Sequence, residues 1–469
     1  MSTFTGLNTA ASALSAARRG IELTGQNIAN QTSAGYTRQR LETSAVAAVA
    51  QAGRFSAGAV PGQGVSVDGV ARLGDALLDS RVRDALGAAG FWSVRAQAAR
   101  TAEATMAEPT EAGLAHRLSQ FWADWQDLSN SPDAAAAAAV VLNDASALAS
   151  QIAAGYAAAS SQWSEARAGV ERTVSEVNTA ADQIAQLNRE IRDALGAGRS
   201  ANELIDRRAV LAERVSRQTG ATASVEQDGT LTVRIDGNAL VSGVEARHLV
   251  ASGPSGITAG QPVTVAWAHR PDQPVALSGG ELGGALSVLA PASEGGTLAQ
   301  LADTYNRLAT TLAERVNAQH RAGATAAGEP GGDFFDVSAA GPAALSLRVV
   351  PTRADQLALA APGAGAFDSS NADAISQIGS SAGSPDALWA DFVTSFGVAT
   401  AGDVQRASVA EVAAVTAVGA QQSVAAVDGD EETINLLTYQ TAYQAAARVL
   451  TAVDEALDVL INRTGLVGR

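Results

Sequence analysis

An unbroken heptad seam closes the chain. Leu436, Tyr439, Tyr443, Ala446, Leu450, Val453, Leu457 and Leu460 follow one another at alternating steps of three and four residues. That spacing keeps one apolar line on a helix and predicts packing lengthwise on another helix. At 1.5 Å per residue the seam is roughly 36 Å long. The opening of the chain carries a matching line: Leu7, Ala10, Leu14, Ala17, Ile21, Thr24 and Ile28, large at a and small at d. Two half-seams at opposite ends predict that the ends pair with each other or with copies of themselves. Two ordinary amphipathic helices inside a globular domain satisfy the same periodicity.

The material between the ends suits helices that approach closely. Ala and Gly supply much of the apolar content and aromatics only 4%. Small residues bury little area each, so helix-on-helix packing is favoured over a bulky core. The net charge is −16 and every fixed cation is Arg, since the sequence has no Lys. Such a surface is a poor match for nucleic acid or an anionic membrane, whose phosphates need a basic face. Without Cys there are no disulfides, thiolate metal sites or Cys nucleophiles. Met1 to Ala10 lack the charged and apolar regions of a secretory leader. The longest apolar run, Ala134 to Leu142, is far short of the ~20 residues that span a bilayer. The expectation is a protein that is cytoplasmic or exported without a cleaved leader, and no membrane insertion.

Along the chain, the first helix is expected to stop near Asn30, with Asn30 and Gly35 as residues that tolerate a left-handed backbone. Residues 41–70 read as extended and loop structure, with a short strand over Gly64 to Gly69. Residues 71–220 read as helical. Ser131-Pro132-Asp133 is a helix start, a further helix runs from about Ser161 to Leu195, and another from Ala201 to Gln218. At Gly220 the period changes to that of strands. Asp228-Gly229 and Asp236-Gly237 mark turns, and Val263 to Trp267 a further strand. Helix resumes from Thr297 to about Arg321, a strand is expected at Leu345 to Val350, and a long helix over Asp403 to Val427. Asp428 then starts the last helix, in capping-box spacing with Glu431. The fold class is mainly α with a small β part: a coiled-coil-like terminal domain (1–70 with 428–469), a long helical-bundle body (71–220 with 297–427), and an inserted antiparallel β unit (221–296).

No catalytic set can be assembled. His116, His248, His269 and His320 lack metal-ligand spacing. The cluster Asp428, Asp430, Glu431, Glu432 reads as helix capping and dipole complementation. Gly279-Gly280 and Gly283-Gly284 lack a phosphate-loop Lys and read as turns. No nucleophile elbow, P-loop or dinucleotide fingerprint occurs. No cofactor and no metal are expected.

Two motifs carry a resemblance. Leu7-Asn8 to Ile28-Ala-Asn30, then Thr32 and Gly35-Tyr36-Thr-Arg38-Gln39, resembles the shared opening of bacterial flagellar rod, hook and hook-associated proteins. Asn435-Leu436-Leu437, Tyr439-Gln440, Tyr443 to Arg448, Leu457-Asp458 and Leu460-Ile461-Asn462 resembles their shared close. In the middle, Asn202 to Arg208, Leu282 to Ala285, Asn317 to Gly323 and Gly332 to Phe335 are similar to the hook-associated branch that forms the hook–filament junction. Hook and rod subunits have β-rich middles, whereas this one has long helices.

The resemblance implies a non-enzymatic structural subunit, extracellular on the flagellum at the hook–filament junction, exported without a cleaved signal peptide. It implies a ring or short helical tube of copies, with hook protein, a second junction protein on the filament side, and an export chaperone on the C-terminal helix as partners. Larger members carry an outer β domain; here the interval around 336–370 is short, so that domain is expected to be absent or vestigial. Both ends are expected to be mobile in the free subunit and to fold on assembly. The alternatives are a hook or rod axial subunit, a cytoplasmic coiled-coil scaffold or chaperone, and an enzyme.

Overall fold

A computed structural model describes residues 3–47, 62–257, 260–365 and 367–463. Helix α1 (Thr3–Ala29) leads into a hairpin of β1 (Gln39–Ala45) and β2 (Val65–Arg72). Then come α2 (Ala76–Met106), α3 (Leu114–Asn130), α4 (Ala135–Gly196) and α5 (Asn202–Thr219). Strands follow: β3 (Thr222–Val225), β4 (Leu231–Ile235), β5 (Asn238–Ser242), β6 (Glu245–Ala246), β7 (Leu249–Ser252), β8 (Thr264–Trp267) and β9 (Arg270–Pro274). After α6 (Gly280–Leu289) and α7 (Thr297–Ala322) lie β10 (Phe335–Asp336), α8 (Ala343–Ser346), β11 (Arg348–Val349) and α9 (Ser370–Ser376). Two helices close the chain, α10 (Pro385–Ala425) and α11 (Gly429–Asp458). The fold is mainly α with small antiparallel sheets, and α10 packs along α2 as α11 packs along α1.

Helix α4 is the spine. Its 62 residues extend roughly 93 Å. Val141, Ala145, Leu148, Ile152, Tyr156, Ala159 and Trp163 recur at steps of three and four and are all buried. One window of α4 has a mean hydropathy of 1.3, apolar enough to cross a membrane by composition; here that apolar line is spent on α3, α5 and α7. Gly155 does not interrupt it, because the Tyr305 ring fills the space a methyl would need.

Two asparagines of α4 dock the sheets. Asn188 bonds the N–H and carbonyl of Leu231 at 2.9 and 2.8 Å, and Asn178 does the same with Leu249 at 2.8 and 2.9 Å. A carboxamide used this way completes the hydrogen bonding of a strand buried against a helix. Asn188 holds the four-stranded sheet β3-β4-β5-β6, and Asn178 the three-stranded sheet β7-β8-β9. Leu231, Val233, Val241, Leu249 and Val265 join the same continuous core as α4 and α7. Residues 221–296 are therefore two sheets and the helix α6, sharing the body's core.

Several boundaries differ from expectation, each for a local reason. Helix α2 starts at Ala76, not Ala71, because β2 continues to Arg72 and Asp75 caps the helix through Leu77 and Leu78 N–H. Ser131 ends α3, donating to the Leu128 carbonyl; α4 starts at Ala135 with no side-chain cap. The helix expected from Ser161 is part of α4. Helix α10 begins at Pro385, capped by Ser384, rather than at Asp403. The strand expected at Leu345 to Val350 is split into α8 and β11. Asn30 is not left-handed, and Gly35 is, with φ of 78°. Gly283 and Gly284 lie inside α6, which crosses α2 so closely that a methyl on Gly284 would meet the Phe91 carbonyl oxygen at 2.5 Å. Within the expected extended and loop segment 41–70, residues 48–61 lie outside the described residues.

The motifs around Asn317 and Phe334 are one structural unit. The Asn317 carboxamide accepts from Phe334 and Phe335 N–H, each at 2.8 Å, and donates to the Phe335 carbonyl. This holds Phe334 against Trp125, ring centroids 5.3 Å apart. Buried His320 sits at the edge of that cluster. Its Nδ1 lies 2.8 Å from the Gly332 carbonyl oxygen and its Nε2 accepts from Ala358 N–H at 3.0 Å. Burial lowers its pKa below the ordinary 6.5, against the raising effects of the Gly332 carbonyl and Asp333. A histidine whose folded pKa is lowered gives stability that is fully present above the unfolded pKa and lost as pH falls through the folded value. Thermal melts should therefore show the body weakening below about pH 6.5, with the His320→Gln variant less stable at neutral pH but flatter across that range. Parallel slopes for both proteins would refute this.

Candidate assembly element

Helices α1 and α11 form one antiparallel pair. Gly6 faces Val453, Gly20 faces Tyr439, and Asn27 bonds Glu432. Those three contacts keep one register over about 32 Å of helix. The inner column of α1 is therefore Gly6, Ala13, Gly20 and Asn27, at heptad spacing beside the expected d column. The Tyr439 ring lies flush on Gly20, where any side chain would collide with it.

The expected seam residues divide by position. Ala10, Ala17 and Thr24 are buried, and Leu7, Leu14 and Ile21 are partly buried at the side of the contact. Ile28 is exposed (37%) in the single chain. On α11, Ala446 is buried, and Leu436, Tyr439, Leu450, Val453 and Leu457 are partly buried. Tyr443 and Leu460 are on the exposed side. Small residues let the helices approach, so the contact centres on the expected d column and the column beside it rather than on the leucines. A second, outer line of α11 is open: Ile434, Leu437 and Val449 are more than half exposed.

A polar node fastens this pair to the body. Asn27 is 1% exposed and uses all its hydrogen-bonding capacity. Its Oδ1 accepts from the Tyr36 hydroxyl (2.8 Å) and Gln39 N–H (3.1 Å), and its Nδ2 donates to the Gln39 carbonyl (2.9 Å) and Glu432 Oε2 (3.1 Å). Arg38 pairs with Glu432 at 2.8 Å and also with Glu431, while its N–H donates to the Ala425 carbonyl. Glu431 thus serves Arg38 rather than a reciprocal capping box; Asp428 caps α11 alone, through Asp430 and Glu431 N–H. Tyr36 is pushed up to about 12 by burial first and then by Glu203, Asp206 and Glu432, so it stays a neutral donor.

The body's side of the node is the start of α5. Asn202 donates to Gln39 Oε1 and the Val70 carbonyl, both at 3.0 Å. Asp206 accepts from Thr37 N–H at 3.1 Å and pairs with Arg72 at 2.6 Å. Arg208, lowered to about 10 by burial and by Arg72, turns the other way to Asn188 and the Gly229 carbonyl. The motif at 30–39 and the motif at 202–208 are thus two halves of one joint. Of the expected motif residues, Tyr36, Arg38 and Gln39 belong to the node. Asn30 bonds Gln26 and Ser33 locally, Thr32 is exposed in the loop, and Gly35 makes room for Val210. Sequence reasoning missed Asn27, Asn202, Asp206 and Glu432 as partners, and Gly20 as the contact under Tyr439.

Residues 99–335 match the flagellar hook-associated protein FlgK helical domain, and residues 421–463 match the flagellar basal body rod FlgEFG protein C-terminal family. The flagellar hook-associated protein 1 of Bacillus subtilis is 30% identical over the whole of both chains. The chain belongs to the flagellar hook-associated protein 1 family. Its relatives in Escherichia coli and Salmonella typhimurium are each 30% identical over 71% of this chain, and the match spans 60% and 59% of their lengths. The fold is shared with the flagellar hook junction protein FlgK from Burkholderia pseudomallei, with a TM-score of 0.64 at 16% identity, covering 74% of this chain and all of that one. Members of the hook-associated protein 1 family are structural proteins of the bacterial flagellum. The first family match is to the helical body, and the rod-type match is confined to the end that rod proteins share.

Proposed function

We propose that this chain is the structural subunit of the hook–filament junction, polymerising through the α1–α11 pair as a ring or short tube. The observation that carries this is the pair itself. It satisfies one face of α11 within the chain and leaves Ile434, Leu437 and Val449 as an unfilled apolar line on the other. Burying one such leucine contributes roughly 1.5–3 kcal/mol, repeated at every copy. The terminal pair (1–70 with 428–469) is the assembly unit. The body (71–220 with 297–427) and its β part (221–296) stand outside it, linked by the Arg38–Glu432–Asp206 node.

On this reading the chain reaches the flagellum outside the cell without a cleaved leader. It meets hook protein on one side and a second junction protein on the other. An export chaperone covers the open face of α11 before assembly. On the same reading the outer β domain of larger family members is absent or vestigial, which the short elements described in the interval 336–370 support.

Substituting Leu437→Asp should leave thermal melting and the α1–α11 pair unchanged while abolishing assembly onto purified hooks and chaperone capture. Leu450→Asp, beneath the pair, should expose α1 and α11 to hydrogen exchange as well. Filament growth at the wild-type rate with Leu437→Asp would remove the open face from the mechanism.

A further inference from the structure

We propose that Asp124 on α3 and Asp144 on α4 share one proton, forming a clasp between the two helices that is closed in acid and opens as the medium turns alkaline. The position is a poor one for an ionised carboxylate. Asp124 is 5% exposed and lies on the helix face that carries Phe121 and Leu128 into the core. Its Oδ1 accepts from Gln120 Nε2 at 2.9 Å. Its Oδ2 is sealed from solvent and meets no hydrogen-bond donor among the described residues. A buried carboxylate oxygen without a donor forfeits its hydration and regains nothing, whereas a protonated one becomes a donor itself.

An acceptor for that proton is in place. The Asp144 carboxyl lies within hydrogen-bonding reach of Asp124. It is only partly buried, and Asn143 Nδ2 stands 3.4 Å from its Oδ1. No arginine offsets the pair: the charges bearing on Asp124 are Asp144 and, on its own helix, Asp127. Of the other helices on α3, α9 carries Asp373, which is exposed, and α10 carries Asp386, whose carboxylate accepts from the Trp122 indole at 2.8 Å. Two facing carboxyls with no cation between them hold one proton more tightly than either holds it alone.

Asp124 is raised to about 6, by burial first, with the Gln120 hydrogen bond opposing and Asp144 and Asp127 adding to it. The folded chain therefore binds this proton more tightly than the unfolded chain, whose aspartates titrate near 3.8. The clasp's contribution to stability is fully present below about 3.8 and is lost as pH rises through about 6. His320 acts with the opposite sign, so the two are separated by comparing variants with wild type at each pH. Opening the clasp sets two carboxylates against each other and loosens α3, which carries Trp125 against Phe334. The packing of the body is thereby tied to the acidity around it, whether or not copies assemble.

The test is the melting temperature of the full chain between about pH 5 and pH 8, for wild type, Asp124→Asn, Asp144→Asn and, as the control for charge alone, Asp127→Asn. An asparagine at 124 or 144 keeps a donor in the pair at every pH. Each of those two variants should melt several degrees above wild type at about pH 8, and the advantage should shrink to about one degree or less at about pH 5. Asp127→Asn should shift the melt by a nearly constant amount. Asp144 is partly exposed, so its variant decides the matter even where the buried substitution at 124 fails to fold. A difference between Asp144→Asn and wild type that is the same at every pH overturns the clasp. So does an Asp127→Asn variant that reproduces the full pH dependence.

Discussion

Gly20→Val should separate the terminal helix pair while leaving the body intact. A valine at this position has nowhere to go, because the space its side chain needs is occupied by the Tyr439 ring and α1 cannot retreat without breaking its other contacts. Overpacking a close contact costs about 1–3 kcal/mol, and a two-helix pair has few other contacts to absorb it. Hydrogen exchange should show 3–29 and 429–458 losing protection together, with α4 and α7 unchanged. Assembly onto hooks should fail. The compensating change Tyr439→Ala in the same chain should recover much of the pairing, since it vacates the space the valine needs. A double-mutant cycle reports that coupling directly. Independent, additive effects of the two substitutions would mean that Gly20 and Tyr439 do not meet.

Why Gly20 escaped the sequence reading is instructive. Heptad reasoning weights large residues, and the large residues of α1 are Leu7, Leu14, Ile21 and Ile28. The two end helices, α1 and α11, do lie along each other. The expected d column, Ala10, Ala17 and Thr24, is buried, and the column beside it lies inside as well, because which columns lie inside depends on what the partner presents. Tyr439 presents a ring, and only glycine accommodates it. That information resides in the register between residues some four hundred positions apart, which a single sequence does not display.

The node follows the same logic. The motif at 30–39 and the motif at 202–208 were each visible, but nothing in one chain says that Thr37 N–H meets Asp206 or that Gln39 meets Asn202. The family resemblance located the residues and not their partners. Local errors had local causes. Ser131-Pro132 looks like a helix start and is the stop of α3, because the backbone there folds back onto Leu128. Gly283-Gly284 looks like a turn and is a helix crossing. Chain-length features such as the change of period at Gly220 and the resumption at Thr297 were legible because each is repeated over many residues.

The largest effect is expected at Asn27, where one atom changes the sign of an interaction. Asn27→Asp keeps the shape of the side chain and its two acceptances from Tyr36 and Gln39. It removes the two donations, to the Gln39 carbonyl and to Glu432 Oε2. A carboxylate oxygen then faces the Glu432 carboxylate at the position now held at 3.1 Å, inside a site where Glu432 is 2% exposed. Arg38 already serves Glu432 and Glu431 and has no second guanidinium to offer. Breaking a buried charged arrangement in this way costs about 3–5 kcal/mol, larger than any single leucine on the seam. The terminal pair should detach from the body, exposing β1 and the start of α5 to hydrogen exchange, while α4 keeps its protection. Two changes should reverse it. Glu432→Gln in the same chain supplies an amide that donates to the new aspartate. Lowering the pH does so too, since two facing carboxylates hold one proton more tightly than either alone, and the shared proton restores a donor. If Asn27→Asp matched wild type in the exchange of 3–45, the node would be a surface ornament and the joint between assembly unit and body would have to lie elsewhere.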